Sequence, residues 1–295
     1  MKNQKLGILN AFGAFLTWGL CLPSALKALG GYEQPLSAMS VRIFWSFGVI
    51  FIIQLVRGQL GIITQLLKPR IFLPQFCAAF LVSINWFVFI YAIQIRQLNQ
   101  AALGYYILPL IGVLVGMLVY KEKLNNKQKF AILLATMGIG YTIFATGTIP
   151  IISLSVALSF TFYSMIKKNT RFDAFSGLYL ETFLMCLFLP LFYFIFGIFD
   201  QVKIVPSAIA GYPAAFFVGL FTIAPLFFFA QAIKLMDFSL YSVLSWFVPT
   251  IQFITSVFFW HEPFDASKLV TFIFIWTALA IYGYSLFEGK KADSA

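Results

Sequence analysis

The chain has 295 residues, of which 61% are hydrophobic and only 10% charged, with a formal net charge of +10 at pH 7. A soluble domain carries roughly 25% charged residues, so this chain lacks the polar side chains to cover a water-facing surface and reads as an integral membrane protein. Its lysines and arginines fall in particular loops, which points to membrane topology and away from a nucleic-acid partner.

Apolar runs of about 20 residues, enough to cross the hydrocarbon, are predicted near 6–29, 36–56, 71–95, 101–120, 128–146, 150–167, 176–199, 208–234, 240–260 and 268–287. The first has a basic start but is too long for the apolar core of a cleaved leader, so it is read as a span. The fifth and sixth are divided only by "TGTIP". Cys21, Cys77 and Cys186 lie inside apolar segments with no pairing or metal spacing, and one histidine excludes a His-x-x-x-His zinc motif, so no cofactor is expected.

With the N-terminus placed in the cytoplasm, the inside set is Lys2, Lys5, Arg57, Lys68, Arg70, Lys121, Lys123, Lys127, Lys129, Lys167, Lys168, Arg171, Lys234, Lys290 and Lys291, which is 15. The outside set is Lys27, Arg96, Lys203 and Lys268, which is 4. This bias puts both termini in the cytoplasm. The lipid bilayer is therefore the obligatory partner; the sequence leaves the oligomeric state open.

The chain repeats itself. "ALGYYILPLIGVLVGMLVYKEKL" (102–124) matches "SVLSWFVPTIQFITSVFFWHEPF" (242–264), with Pro109 on Pro249 and Glu122 on Glu262, both at an offset of 140. Ala92-Ile93 matches Ala232-Ile233 at the same offset. The loop "KEKLNNKQK" is basic and its equivalent "HEPFDASK" is acidic, so the two are expected on opposite sides of the membrane. That predicts an all-α membrane protein of ten helices in two inverted five-helix repeats, 1–148 and 149–295, a design found in secondary transporters.

Polar and small residues form stripes at helical spacing. The first span carries Asn10, Ala14, Thr17, Cys21 and Ser24; the fourth Tyr105, Pro109, Gly112 and Gly116; the ninth Ser245, Pro249, Gln252 and Ser256. Asn85 stands beside Trp86 in the third, and the eighth carries Thr222, Pro225 and Gln231. Such residues pack helices together or line a pathway, and both readings stand for each of them.

Two charges lie inside spans. Arg42 sits within "LSAMSVRIFWSFGVIFII" (36–53), and the seventh span aligns with the second so that Ser176 matches Ser37 and Glu181 matches Arg42. An intramembrane charge costs roughly 2.5–3.5 kcal/mol on insertion scales and is by default functional. In inverted halves the two lie at different depths, so each is expected to find a local partner or a wet vestibule and not the other, the alternative being that Arg42 snorkels to the outer headgroups and Glu181 to the inner ones. Glu122 and Glu262 precede helices whose positive N-terminal ends suit a carboxylate, with Asn125 or Asn126, and Asp265 or Ser267, as candidate caps.

The stretches "NWFVFIYAI" (85–93), "AALGYYILPL" (101–110), "SLSVALSFTFYSMIKK" (153–168), "GLYLETFLM" (177–185), "TIAPLFFFAQAIKLM" (222–236) and "VTFIFIWTALAI" (270–281) resemble the RarD family of the drug/metabolite transporter (EamA-like) superfamily. The resemblance implies ten helices in the bacterial inner membrane around a cavity lined mostly by spans 1, 3, 4, 6, 8 and 9. Together with the polar stripes and the two intramembrane charges, it makes Trp18, Asn85, Trp86, Tyr105, Tyr106, Pro109, Ser159, Tyr163, Gln231, Ser245, Trp246, Pro249 and Gln252 candidates for the pathway, and Arg42 and Glu181 candidates for gating or coupling. The family label refers to chloramphenicol sensitivity. The usual His before the second-span Arg is here Val41, and the family's Glu, Asn and Gln-Tyr positions are Gln100, Leu108 and Ser245-Trp246.

The expected function is a permease moving a small solute, with a passive channel or a scaffold without transport as the alternative. An intramembrane enzyme needs a nucleophile-base pair, a metal cluster or paired carboxylates at depth, and the spans offer one clear acid. An aromatic-rich cavity suits a flat, amphipathic or cationic solute through stacking and cation–π contact.

Overall fold

The computed structural model describes residues 3–22, 24, 35–95, 98–146, 151–197, 213–255, 258, 261 and 267–292, and the described residues form helices and no strands. The helices are α1 (Gln4–Leu16, continued by a π-helical turn Thr17–Cys21), α2 (Pro35–Val56), α3 (Pro69–Gln94), α4 (Leu98–Leu118), α5 (Asn126–Thr146) and α6 (Ile151–Asn169). They continue as α7 (Ala174–Gly197), α8 (Pro213–Leu235), α9 (Phe238–Leu244), α10 (Phe247–Ile254) and α11 (Ser267–Ala292), and a 3-10 helix (Leu60–Leu67) joins α2 to α3.

Local chemistry sets the helix boundaries. α2, α3 and α8 each begin on a proline, which has no N–H to leave unpaired in a first turn. Asn125 opens α5 with a reciprocal pair: its Oδ1 accepts from Gln128 N, and Gln128 Oε1 accepts from Asn125 N, both at 2.9 Å. This capping box decides between the two asparagines expected there. Asp173 Oδ1 caps α7 by accepting from Phe175 N and Ser176 N.

Six stretches among the described residues are long and apolar enough to cross a bilayer: Met39–Val56, Pro69–Phe89, Ile151–Asn169, Ala174–Leu191, Ala215–Leu235 and Leu269–Leu286. Leu103–Leu118 and Phe238–Ile254 are shorter apolar helical stretches. Leu9, Val56, Phe144 and Phe194 are exposed, leaving apolar outer surfaces suited to acyl chains. The core is aromatic and aliphatic, with Phe15, Tyr163, Phe229 and Trp246 fully buried.

The ninth predicted span is not one continuous helix: it breaks into α9 and α10 at Ser245-Trp246. Pro249 cannot donate to Ser245 O and its ring crowds that carbonyl, so Val248 N bonds Ser245 O at 3.0 Å instead. α4 carries Pro109 and runs through unbroken.

The helices pack antiparallel in pairs. Along α4 and α9, Tyr106 meets Trp246, Gly112 faces Ser242 and Gly116 faces Ser239. α5 meets α11 through Thr142 and Thr271 near one end and through Lys127 and Glu288 near the other. α2 meets α7 through Phe47–Tyr179 stacking, Gln54–Ser176 and Arg57–Asp173. The remaining neighbours come in matched sets: α1 packs on α8 as α3 packs on α6, and α2 on α8 as α7 on α3. Among the described residues, the non-glycine positions with positive φ are Lys121 (57°) and His261 (53°), which are related by the same 140-residue offset. The equivalent residues Glu262 and Ser256, and the candidate cap Asp265, lie outside the described residues.

Candidate functional site

Arg42 is buried in the wall of α2. Its Nε donates to Thr222 Oγ1 on α8 at 3.1 Å, and its guanidinium carbon lies 3.9 Å from the centre of the Trp86 ring on α3. A planar cation over an indole keeps much of its solvation in exchange for ring electrons, a contact worth ~2 kcal/mol when desolvated. Tyr105 packs edge-on against Phe89 at 5.7 Å.

Glu181 is held differently. Its Oε1 accepts from Lys167 Nζ at 2.7 Å and its Oε2 from Tyr163 OH at 3.0 Å. The Lys167 and Glu181 side chains are 1% and 2% exposed. Burying two charges costs several kcal/mol per ion unless geometry and hydrogen bonds compensate; here both carboxylate oxygens are engaged. Gly177, one turn before Glu181 on α7, leaves room for the ammonium, since a Cβ there would sit 3.1 Å from Lys167 Nζ.

Lys167 was expected among the loop cations, yet it lies in the last turn of α6 and points inward. The signal was present: Tyr163 and Lys167 are four apart, hence on one helical face, and the four-residue link from Asn169 to Ala174 folds α6 and α7 into a hairpin. Its neighbour Lys168 points the other way, donating to Ile233 O and Met236 O at the end of α8. There a cation suits the negative helix terminus. At the mouth of the hairpin, Arg57 Nη1 reaches Asp173 Oδ1 at 3.0 Å. Partial burial pushes the Asp173 carboxyl up, but hydrogen bonds from Ser176 and Arg57 more than offset that and hold it below its usual value.

Tyr163 links this ion pair to an aromatic cluster. Its ring stacks on Phe229 (5.7 Å), and Trp18 lies 5.6 Å from Phe160 and 5.9 Å from Phe229. Phe229 also meets Tyr241, which meets Phe15. The cluster thus gathers α6, α8, α9, α1 and its π-helical turn in one place.

Several predicted pathway residues are engaged in packing. Asn85 Nδ2 donates to Val156 O at 2.9 Å and to Ser159 Oγ at 3.2 Å, tying α3 to α6. On the first-span stripe, Asn10, Thr17 and Ser24 each donate to the carbonyl four residues back. Ser245 Oγ donates to Ser242 O. Trp246 Nε1 donates to Tyr106 O at 3.0 Å, beside the carbonyl that Pro109 leaves without a helical donor. Pro109 and Pro249 are buried, and Gln231 and Gln252 are half-buried.

Glu122 does not serve the helix that follows it. Its carboxylate accepts from Phe238 N at 2.6 Å and Ser239 N at 2.8 Å, the start of α9. The left-handed turn at Lys121 brings the chain back across α4, with Glu122 N bonded to Gly116 O.

The EamA-like transporter family matches residues 5–144. The uncharacterized transporter YojE of Bacillus subtilis (strain 168) is 37% identical, over 99% of this chain and 98% of its own. A protein named RarD from Salmonella typhimurium is 33% identical over 95% of each chain. A solved crystal structure resembles the fold with a TM-score of 0.66 at 19% identity, covering 94% of this chain and 96% of that one.

Proposed function

Because the chain belongs to the EamA-like transporter family, within its RarD group, we propose that this multi-pass membrane protein is a secondary transporter moving a small solute by alternating access. The proposal includes ten spans in two inverted repeats, 1–148 and 149–295, with both termini in the cytoplasm and the chain in a bacterial inner membrane. What carries it is the antiparallel packing of repeat-equivalent helices, centred where Tyr106 meets its own equivalent Trp246. An axis in the membrane plane relates helices of opposite direction, so it puts equivalents side by side and antiparallel. The shared positive φ at Lys121 and His261 supports the same relation.

The solute is read as flat and aromatic, amphipathic or cationic, entering between the halves near Trp18, Tyr163 and Trp246. The aromatic cluster supports this, since stacking on rings is tolerant of the solute's detail. Glu181 is the coupling candidate: its carboxylate joins the ion pair to the cluster through Tyr163. A carrier is favoured over an enzyme because both oxygens of this carboxylate are engaged, by Lys167 and Tyr163.

Proteoliposomes loaded with tryptophan, adenine or chloramphenicol test the reading. A carrier shows counterflow of its labelled substrate; a channel shows downhill flux only, and a scaffold none. Glu181→Gln is expected to slow transport strongly or remove its dependence on an imposed pH gradient. Arg42→Gln is expected to slow it with less change in pH dependence, because arginine does not titrate. A Glu181→Gln protein with wild-type rates and pH profile would reduce the ion pair to a structural role.

A further inference from the structure

Glu122 reaches from one proposed half into the other. It bonds the first two backbone N–H groups of α9, and it does not stand alone. The Tyr120 ring, two residues earlier, stacks on Phe238 with centres 5.2 Å apart. Asn169 Nδ2 donates to Tyr120 OH at 3.1 Å, and Lys168 Nζ lies 5.3 Å from the Tyr120 ring while bonding the carbonyls that end α8. The turn between α8 and α9 is therefore held at both ends, by a cation on the carbonyls before it and a carboxylate on the N–H groups after it. Two glycines permit the approach. A Cβ on Gly116 would fall 2.1 Å from Ser239 Oγ and 2.6 Å from Glu122 Oε2, and one on Gly112 would fall 2.1 Å from Ser242 Oγ.

We propose that Glu122, with Tyr120 stacked on Phe238, is a releasable latch that closes the cytoplasmic end of the pathway between α4 and α9. This rests on the alternating-access reading and its orientation. A packed apolar seam resists parting along its whole length. A single carboxylate holding two backbone groups can let go at once, and water then solvates both sides.

The test begins from a parent in which Cys21, Cys77 and Cys186 are replaced by serine, carrying Tyr120→Cys and Phe238→Cys. Flux of tryptophan, adenine or chloramphenicol is measured in proteoliposomes before oxidation, after it and after reduction. The expected result is a disulfide that removes flux in proportion to the fraction cross-linked, with recovery on reduction. Undiminished flux in the cross-linked protein overturns the latch. A parent that moves none of the three, in either cysteine state, counts against the transport reading instead. The second arm then decides the latch without flux, by labelling a cysteine at the buried Ser242 position with a membrane-impermeant maleimide from the cytoplasmic face. Glu122→Gln should speed labelling on the order of tenfold, and an unchanged rate in the folded variant overturns the latch.

Discussion

Arg42 and Glu181, matched in the proposed repeat, solve the same problem in opposite ways. Arg42 has a long stem and a planar head, so it reaches across to a ring on α3 and a hydroxyl on α8. Glu181 is short, so its partners come to it, both from the adjacent α6. The two positions align in the proposed repeat, yet their partners differ. Arg42 meets a ring and a hydroxyl on helices distant in sequence, and Glu181 an ion pair within a hairpin. That difference predicts which site is structural bedrock and which can reorganise.

The largest effect belongs to the ion pair. Lys167→Met strands a buried carboxylate and should cost ~3–5 kcal/mol, whereas Lys167→Met with Glu181→Leu should recover most of it because both charges are gone. Thermal unfolding in detergent measures this, and a single variant that melts with the wild type breaks the contrast.

Arg42→Lys should cost less, about 1–2 kcal/mol. It keeps the charge but loses the plane stacked on Trp86 and the Nε donor to Thr222. A double-mutant cycle with Trp86→Leu sharpens it, since additive losses would mean that the ring contact carries no energy. Thr222→Val should cost about 1.5 kcal/mol, the low end for a hydrogen bond to a charged donor, since the guanidinium keeps its ring. Equal losses for Thr222→Val and Arg42→Lys would remove Trp86 from the account.

The smallest effect is at the mouth of the hairpin. The Asp173 side chain is 49% exposed in its pair with Arg57, so Asp173→Asn should cost no more than about 1 kcal/mol at neutral pH. Its carboxyl lies below the usual value in the folded chain. The stabilisation is therefore present above the unfolded pKa of about 3.9 and is lost as pH falls below that through the lowered folded value. Melting curves of wild type and variant should converge as pH falls through the lowered folded value, and a gap independent of pH would mean that the cap geometry, not the charge, matters.

The sequence shows much of this. The apolar runs announce a membrane, and Pro109 with Pro249 and Arg42 with Glu181 are the matches on which the proposed repeat rests. It does not show what decides the site. Glu122 finds its partners 116 and 117 residues away, and only packing brings α9 there. Lys167 and Lys168 read as one basic loop because adjacent residues look alike in composition, yet on a helix they face different ways. The break at Ser245-Trp246 comes a turn before the proline that causes it, because the crowded carbonyl belongs to the residue four positions earlier.

The spacing of the ion pair also matters during synthesis. Lys167 and Glu181 are 14 residues apart, so at roughly 5–20 residues per second both leave the ribosome within a few seconds of each other. They can enter the membrane as a neutralised hairpin, without each bearing the insertion cost of a lone charge. Arg42 waits 180 residues for Thr222, on the order of ten seconds or more at that pace, though Trp86 emerges sooner. Glu181 thus meets its counterion within one hairpin of synthesis, whereas the contact of Arg42 with Thr222 can form only after α8 is made.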